Sequence, residues 1–129
     1  MPSYRIGDAA RLLGVSADTV RRWADTGRLA ATRDPHEHRV ISGEDLAAFA
    51  RTLGEESDER PVSSARNRFS GLVTAVTKDA VMAQVEIQAG PFRVVSLMSR
   101  EAVDELGLIV GSVAVAVVKS TNVIVEVPR

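Results

Sequence analysis

The stretch Ser63-Ser64-Ala65-Arg66-Asn67-Arg68-Phe69-Ser70-Gly71-Leu72-Val73-Thr74-Ala75-Val76 decides how this chain folds, because the sequence pattern changes within it. Residues 4–53 have helical spacing of apolar side chains, whereas side chains alternate with a period of two after Asn67, which predicts β-strands. The first five residues of the stretch combine hydroxyls, an amide and a guanidinium, groups that can hold an oxyanion. They also suit a polar turn at a strand entrance, and the local sequence leaves both interpretations open.

Composition indicates a globular protein of one domain or two small ones. Of 129 residues, 45% are hydrophobic and 4% aromatic, so each half would have a marginal core and oligomerisation is expected. There is no cysteine, which excludes disulfides and thiolate chemistry. No signal peptide is evident, and the longest apolar run, Leu108–Val118, is too short to span a bilayer. We therefore expect a cytoplasmic protein with no membrane partner.

The first half predicts two short helices around a tight turn. The first helix ends at Gly14, and the second runs from Ala17 to Asp25, with Ser16 as its N-cap and Gly27 after it. The expected apolar faces are Ala9, Ala10, Leu12 and Leu13 in the first helix and Val20, Trp23 and Ala24 in the second. The pattern favours a helix-turn-helix, with a plain structural hairpin as the alternative.

A β-hairpin and a third helix are expected next. Arg28–Arg33 and His38–Ile41 predict the two strands, and Asp34–Glu37 the turn between them. Ser42 is placed to cap a helix from Gly43 to about Leu53.

These segments together resemble the MerR/excisionase-type winged helix-turn-helix. The resemblance rests on Tyr4-Arg-Ile-Gly-Asp-Ala-Ala-Arg-Leu-Leu-Gly-Val-Ser-Ala-Asp-Thr-Val-Arg-Arg-Trp23, followed by Gly-Arg-Leu and His-Arg-Val-Ile-Ser. It implies that the second helix enters the major groove of double-stranded DNA and that the hairpin is a wing. The implied DNA-contacting residues are Ser16, Ala17, Thr19, Arg21, Arg22, Arg33, His38 and Arg39.

The first half also departs from that family. The wing tip is Pro35-His36-Glu37 where glycine is common, and Glu37 is unfavourable beside phosphate. His36 and His38 lack a third ligand, so no metal site is expected. No heptad stretch is present, so dimerisation must come from elsewhere.

The second half predicts a separate domain behind an acidic linker. We expect domains at 1–53 and 63–129, joined by a flexible linker at 54–62. The predicted elements are a strand after Asn67, strands around Val81–Gln88 and Phe92–Met98, a helix at Ser99–Gly107, and strands around Val113–Val117 and Asn122–Val127. Five strands and one helix suggest a small OB-like β-barrel, making the whole chain α+β.

This half resembles the molybdate-binding Mop domain, the simplest form of the TOBE family. The matching segments are Ser-Ala-Arg-Asn-Arg-Phe-Ser-Gly-Leu-Val-Thr-Ala-Val, Ser-Arg-Glu-Ala-Val-Asp-Glu-Leu-Gly-Leu-Ile-Val-Gly and Val-Lys-Ser-Thr-Asn-Val. The resemblance implies that molybdate, or tungstate, binds at an interface of a dimer or hexamer. The implied ligand residues are Ser64, Ala65, Arg66, Asn67, Ser96, Ser99, Lys119, Ser120 and Thr121.

The chemistry of these residue types suits molybdate, a tetrahedral dianion with four acceptor oxygens. Two cations, several hydroxyls and backbone amides at the helix that begins after Ser99 would supply the donors. Alternatively, Ser99 is only an N-cap and Lys119 a solvated strand charge.

The sequence therefore favours a molybdate-sensing transcriptional regulator. The alternative is a molybdate-binding or storage oligomer without regulatory DNA binding. An enzyme is not expected, because no paired carboxylates, nucleophile–base pair or cofactor loop stands out.

Overall fold

The computed structural model describes residues 2–55 and 62–129, and the chain divides into two compact units at residues 1–60 and 61–129. Its elements are helices and antiparallel strands, which confirms the α+β class. Among the described residues, no helix is both long enough and apolar enough to cross a membrane.

The first unit is a helical bundle with a small sheet. Its elements are β1 (Ser3–Arg5), α1 (Ile6–Leu13), α2 (Ala17–Asp25), β2 (Thr32–Arg33), β3 (Arg39–Ser42) and α3 (Gly43–Glu55). The strands form an antiparallel sheet in the order β1-β3-β2. Buried apolar side chains from all three helices, β3 and the segment between α2 and β2 form one core: Ala9, Ala10, Val20, Leu29, Ile41, Leu46 and Phe49.

The predicted starts of α2 and α3 and the predicted end of α1 are confirmed, because the capping residues make the expected bonds. The N–H of Thr19 donates to Ser16 Oγ at 3.1 Å, and the N–H of Asp45 donates to Ser42 Oγ at 3.0 Å. Gly14 closes α1 with a left-handed φ of 72°, a conformation that costs glycine little.

Several predictions for this unit are wrong. Leu12 is 60% exposed instead of buried, since α1 packs mainly through its alanines. The strand predicted at Arg28–Arg33 is reduced to Thr32–Arg33, and β1 was missed altogether. Helix α3 continues through the first two residues of the predicted linker, and residues 56–61 lie outside the described part of the chain.

The second unit is a curled antiparallel sheet with one helix. Its elements are β4 (Asn67–Lys78), β5 (Met82–Ala89), β6 (Phe92–Ser99), α4 (Arg100–Leu106) and β7 (Val113–Val118), in the strand order β6-β5-β4-β7. The long β4 pairs with β7 through its first half and with β5 through its second half. The core is Val73, Ala83, Val85, Ile87 and Val103.

The sheet is a half-barrel of four strands, so the predicted fifth strand at Asn122–Val127 is wrong for the single chain. After β7 the chain makes a 3₁₀ turn at Ser120–Asn122, and Val123–Arg129 has no regular structure. In the described chain, the outer edges of β6 and β7 pair with no further strand. A strand forms only where it finds a pairing edge, and alternation in sequence does not supply one.

Candidate functional site

The N-terminus of α2 displays hydroxyls that already serve as a cap. Ser16 Oγ lies 2.8 Å from Thr19 Oγ1 and accepts the N–H of Thr19. Ala17, which the resemblance implies as a DNA-contacting residue, is half-buried and packs against the core of the first unit. Ser16 and Thr19 therefore lie on the surface at the end of α2 that the resemblance assigns to DNA.

Acidic neighbours engage two of the arginines expected at DNA. Arg21 Nη1 lies 2.5 Å from Asp18 Oδ1 one turn earlier on α2. Arg39 on β3 pairs with Asp25 at the end of α2, which ties the hairpin to that helix. Arg22 has no side-chain partner within the described residues, so its cation is the one on α2 most available to phosphate.

The predicted wing is a turn organised by Asp34. This carboxylate accepts the N–H of His38 at 2.9 Å and the N–H of His36 at 2.8 Å. These bonds stabilise the charged form and hold the pKa of Asp34 below its usual value, chiefly through the N–H of His38. Arg33 Nη1 donates to the carbonyl of Glu37 at 2.7 Å, so this arginine braces the turn.

Glu37 takes the conformation that glycine usually takes at such a turn. Its φ of 66° is the one positive φ of a non-glycine residue among the described residues. A charged residue at this left-handed position is uncommon. Glu37 therefore adopts, with some backbone strain, the left-handed conformation that glycine would adopt freely.

In the second unit, the first group of oxyanion candidates forms a turn that leads into β4. The N–H of Ala65 donates to Ser63 Oγ at 3.1 Å, and Arg66 Nη1 donates to the carbonyl of Ser63 at 2.8 Å. Asn67 Nδ2 donates to the carbonyl of Val118 at 3.0 Å. Ser63, which sequence analysis left out of the ligand set, therefore organises the turn.

The last group of candidates lies beside the first. Asn67 pairs with Val118, the final residue of β7, and Lys119 follows directly. The 3₁₀ turn is closed by the N–H of Asn122, which donates to the carbonyl of Lys119 at 2.9 Å. Lys119, Ser120 and Thr121 are all exposed, so two cations and several hydroxyls share this end of the sheet.

The middle pair, Ser96 and Ser99, lies elsewhere on the sheet. Ser96 pairs with Val85 on β5, and Val85 pairs with Val76 on β4. Val76 comes nine residues after Asn67, about 30 Å along the backbone at roughly 3.3 Å per residue. The single chain therefore presents two separate groups of candidates.

Ser99 caps α4, and the amides expected to bind an anion are already engaged. The N–H of Ala102 donates to Ser99 Oγ at 3.1 Å, and the N–H of Arg100 donates to the carbonyl of Val81 at 2.9 Å. The expectation that this helix start supplies free donors is therefore wrong for these two amides.

Sequence reasoning missed the acidic partners of the DNA-facing arginines. The spacing of Asp18 and Arg21, three residues apart on a helix, carried a usable signal. Asp25 and Arg39 are 14 residues apart on different elements, so no local pattern could have paired them. No group of three or more His, Asp or Glu within the described ranges could hold a metal ion.

Two family models match the chain. The TOBE domain model matches residues 63–125, and a helix-turn-helix domain model matches residues 3–53.

Curated relatives match the second unit. Molybdenum-pterin-binding protein 3 of Clostridium pasteurianum is 41% identical over 63 residues, which are 48% of this chain and 93% of that protein. Molybdenum transport protein ModE of Herbaspirillum seropedicae is 38% identical over 63 residues, which are 48% of this chain and 23% of that protein.

Among solved structures, the molybdate-bound form of the cytoplasmic molybdate-binding protein ModG has 38% sequence identity and a TM-score of 0.51. The match covers 56% of this chain and 52% of that one.

Proposed function

The chain belongs to the TOBE-domain family of molybdenum-pterin-binding proteins, with a helix-turn-helix domain ahead of the TOBE domain, and from this premise we propose that it is a molybdate-responsive transcriptional regulator of the cytoplasm. The observation that carries the proposal is the joining of these two domain types in one chain. We assign residues 1–53 to DNA binding, 54–62 to a linker and 63–129 to oxyanion binding and assembly.

The first domain would bind double-stranded DNA through α2 and the wing. Arg22 is the foremost phosphate contact, because the other α2 arginine is already paired with an aspartate. The proposed contact set is Ser16, Ala17, Thr19, Arg21, Arg22, Arg33, His38 and Arg39. Arg21 and Arg39 exchange their carboxylate partners for DNA, whereas Arg33 positions the wing.

The second domain would bind molybdate, or tungstate, at an interface between copies. Arg66 and Lys119 supply charge at one end of the sheet, and a tetrahedral dianion needs donors on several sides. The proposed ligand set is Ser64, Ala65, Arg66, Asn67, Ser96, Ser99, Lys119, Ser120 and Thr121. Because this set is divided within one chain, a homo-oligomer, a dimer or a hexamer, would bring the groups together.

The test is DNA affinity with and without saturating molybdate. Operator fragments selected from a random library are titrated with the full chain in both conditions, with sulfate as the control anion. We expect a change of about 5- to 150-fold, the usual range of coupling between two sites. Equal affinity in the two conditions would overturn the regulatory proposal.

Two ligand variants and a matched control locate the anion site. Arg66→Ala and Lys119→Ala should abolish the thermal stabilisation that molybdate produces by mass action. Lys78→Ala removes the other lysine, which pairs with Asp104 at 3.3 Å near the far end of β4, and should retain the molybdate shift. Loss of the shift in all three variants would contradict the assigned site.

A storage oligomer is the second candidate function. It is favoured by the match to a small protein, 93% of which is covered by this chain's second half, and by the neutralised arginines Arg21 and Arg39. Regulatory binding predicts a steep loss of DNA affinity with added salt, because arginines displace counterions from phosphates. Stoichiometric molybdate retention without salt-dependent DNA binding would favour storage. Neither function requires a catalytic step.

A further inference from the structure

Asp18 lies at the centre of the outward face of α2. A helix turns by about 100° per residue, so Asp18 and Arg22 lie one above the other on the side opposite the fully buried Val20. The side chain of Asp18 is 91% exposed. A recognition helix presents mainly its N-terminal residues to base edges, and Asp18 is in the first turn of α2. In the proposed DNA complex, the Asp18 carboxylate therefore faces the bases.

The fold makes little use of this carboxylate. The N-cap of α2 is Ser16, whose Oγ accepts the N–H of Thr19, so Asp18 is not the capping residue. Asp18 Oδ1 lies 2.5 Å from Arg21 Nη1, whereas Asp18 Oδ2 accepts no hydrogen bond from a described residue. An exposed ion pair at this spacing and a negative charge in the first turn each stabilise a helix only slightly. One carboxylate oxygen is thus available to a ligand that donates.

A carboxylate carries only acceptors, and this limits what Asp18 can contact on DNA. The phosphate backbone repels it, because both are negatively charged. In the major groove, guanine O6 and N7 and thymine O4 are acceptors as well, whereas the N4 amino group of cytosine donates. Adenine presents an N6 donor beside an N7 acceptor, a pattern that suits an amide better than a carboxylate. A carboxylate in this position therefore favours cytosine and repels the other bases, and such repulsion contributes to specificity.

We propose that Asp18 is a specificity-determining residue that reads one cytosine in the DNA site of each α2 through the N4 amino group. This inference rests on the proposed DNA binding and adds Asp18 to its contact set. Without DNA, Arg21 neutralises the carboxylate. On DNA, Arg21 moves onto the duplex and Asp18 accepts the cytosine amino group. Arg22, one turn later on the same face, binds phosphate and supplies affinity without sequence preference.

The first test is base selection by a variant of the same shape. Binding sites are selected from a random DNA library with the full chain and with Asp18→Asn, each with and without molybdate. The parent chain should select cytosine at one position of the site. Because an asparagine amide pairs with N6 and N7 of adenine, Asp18→Asn should favour adenine over cytosine at that position by about tenfold.

Asp8→Asn is the matched control for the loss of charge. Asp8 pairs with Arg11 at 3.0 Å on α1, across the same spacing of three residues. The first helix of such a motif crosses the backbone and does not read bases, so the control should select the same site as the parent chain. An unchanged base preference in Asp18→Asn would overturn the inference, while the proposed DNA binding would stand. If the parent chain selects no sequence in either condition, DNA binding itself fails and the inference fails with it.

A second test removes the single donor from the DNA. The selected cytosine is replaced by 2-pyrimidinone, which lacks the N4 amino group, and the affinities of the full chain and of Asp18→Ala are measured. The weaker pairing of this base with guanine affects both proteins equally. The parent chain should lose about tenfold more affinity than Asp18→Ala. Equal losses would overturn the contact, and Trp23 fluorescence verifies that each variant is folded.

Discussion

The two units of this chain bury their apolar side chains to very different extents. Within residues 2–55, Leu12 is the one large hydrophobic residue that is exposed. In the second unit, apolar side chains on both edge strands and in residues 123–127 are exposed, including Leu97 at 71% and Val113 at 82%. The first unit is therefore complete as a single chain, whereas the second displays surface that assembly would cover.

The difference follows from the kind of element that each unit is built from. Three helices around Ile41 enclose a core locally, because each helix satisfies its own backbone. A curled sheet of four strands leaves two edges, so its stability depends on what pairs with them.

The largest loss of stability is expected from a cavity in the core of the first unit, which is complete as a single chain. Ile41→Ala leaves a cavity in its core and should lower the free energy of unfolding by about 2–5 kcal/mol. Trp23 is the only tryptophan of the chain and lies 4.9 Å from Phe49, so its fluorescence during denaturation reports on this unit. Leu12→Ala, at an exposed position, should cost less than about 0.5 kcal/mol. A loss of stability that varies with protein concentration would contradict the statement that the first unit is complete as a single chain.

The next effect concerns close packing in the second unit. A Cβ at Gly71 would lie 2.4 Å from the carbonyl oxygen of Gln88, so Gly71→Ala forces β4 and β5 apart. We expect a loss of about 1–3 kcal/mol, measured by circular dichroism, with an unchanged Trp23 fluorescence transition. Gly54→Ala has open space and should be neutral or stabilising. Shifts in both transitions would show that the units unfold together.

Each unit contains a helix capped by a serine in the same way, Ser16 in the first and Ser99 in the second. Ser16 and Ser99 each accept a backbone N–H at 3.1 Å, so replacing either with alanine should cost about 1 kcal/mol of its own unit's stability. Aspartate at either position should restore the cap. If Ser99 is also a ligand, Ser99→Asp recovers stability in denaturation but not the thermal shift with molybdate. Recovery of both would leave Ser99 as a cap alone.

The smallest effect is a pH dependence shared by both units. The pKa of Asp34 is lowered chiefly by the N–H of His38, and that of Asp79 chiefly by the N–H of Met82. Their folded pKa values lie below the ordinary 3.8, so the stabilisation is present above that pH and is lost as pH falls through the folded values. Denaturation of Asp34→Asn and Asp79→Asn between pH 3 and 7 should each show a weaker pH dependence than the parent chain. An unchanged dependence would contradict these bonds.

Local signals made most helices predictable from sequence. Ser16, Ser42 and Gly14 act through bonds within a few residues, and all three ends lie as expected. β1 was not predictable, because it has only three residues and its partner β3 lies far along the chain. Ser3, for example, pairs with Ser42. The strand predicted around Asn122–Val127 was wrong for the opposite reason, because its alternating pattern is clear but no edge in the described chain pairs with it.

The candidate sites were predictable by residue type and less so by arrangement. Sequence resemblance selected Arg66 and Lys119, and the pairing of Asn67 with Val118 places them at one end of the sheet. It did not reveal that Ser96 on β6 lies level with Val76, far from the Asn67 end of β4, because register is set by long-range pairing. The ion pair of Arg39 and Asp25 was not predictable either, because it joins residues on two elements that are brought together only by folding.

The central place of β4 has a mechanical consequence. Its first half pairs with β7 and its second half with β5, so among the described strands β7 is joined to β5 and β6 only through β4. A break in the backbone of β4 would therefore separate the sheet into two parts, whereas a break in β6 or β7 would remove one edge and leave the other ladders paired.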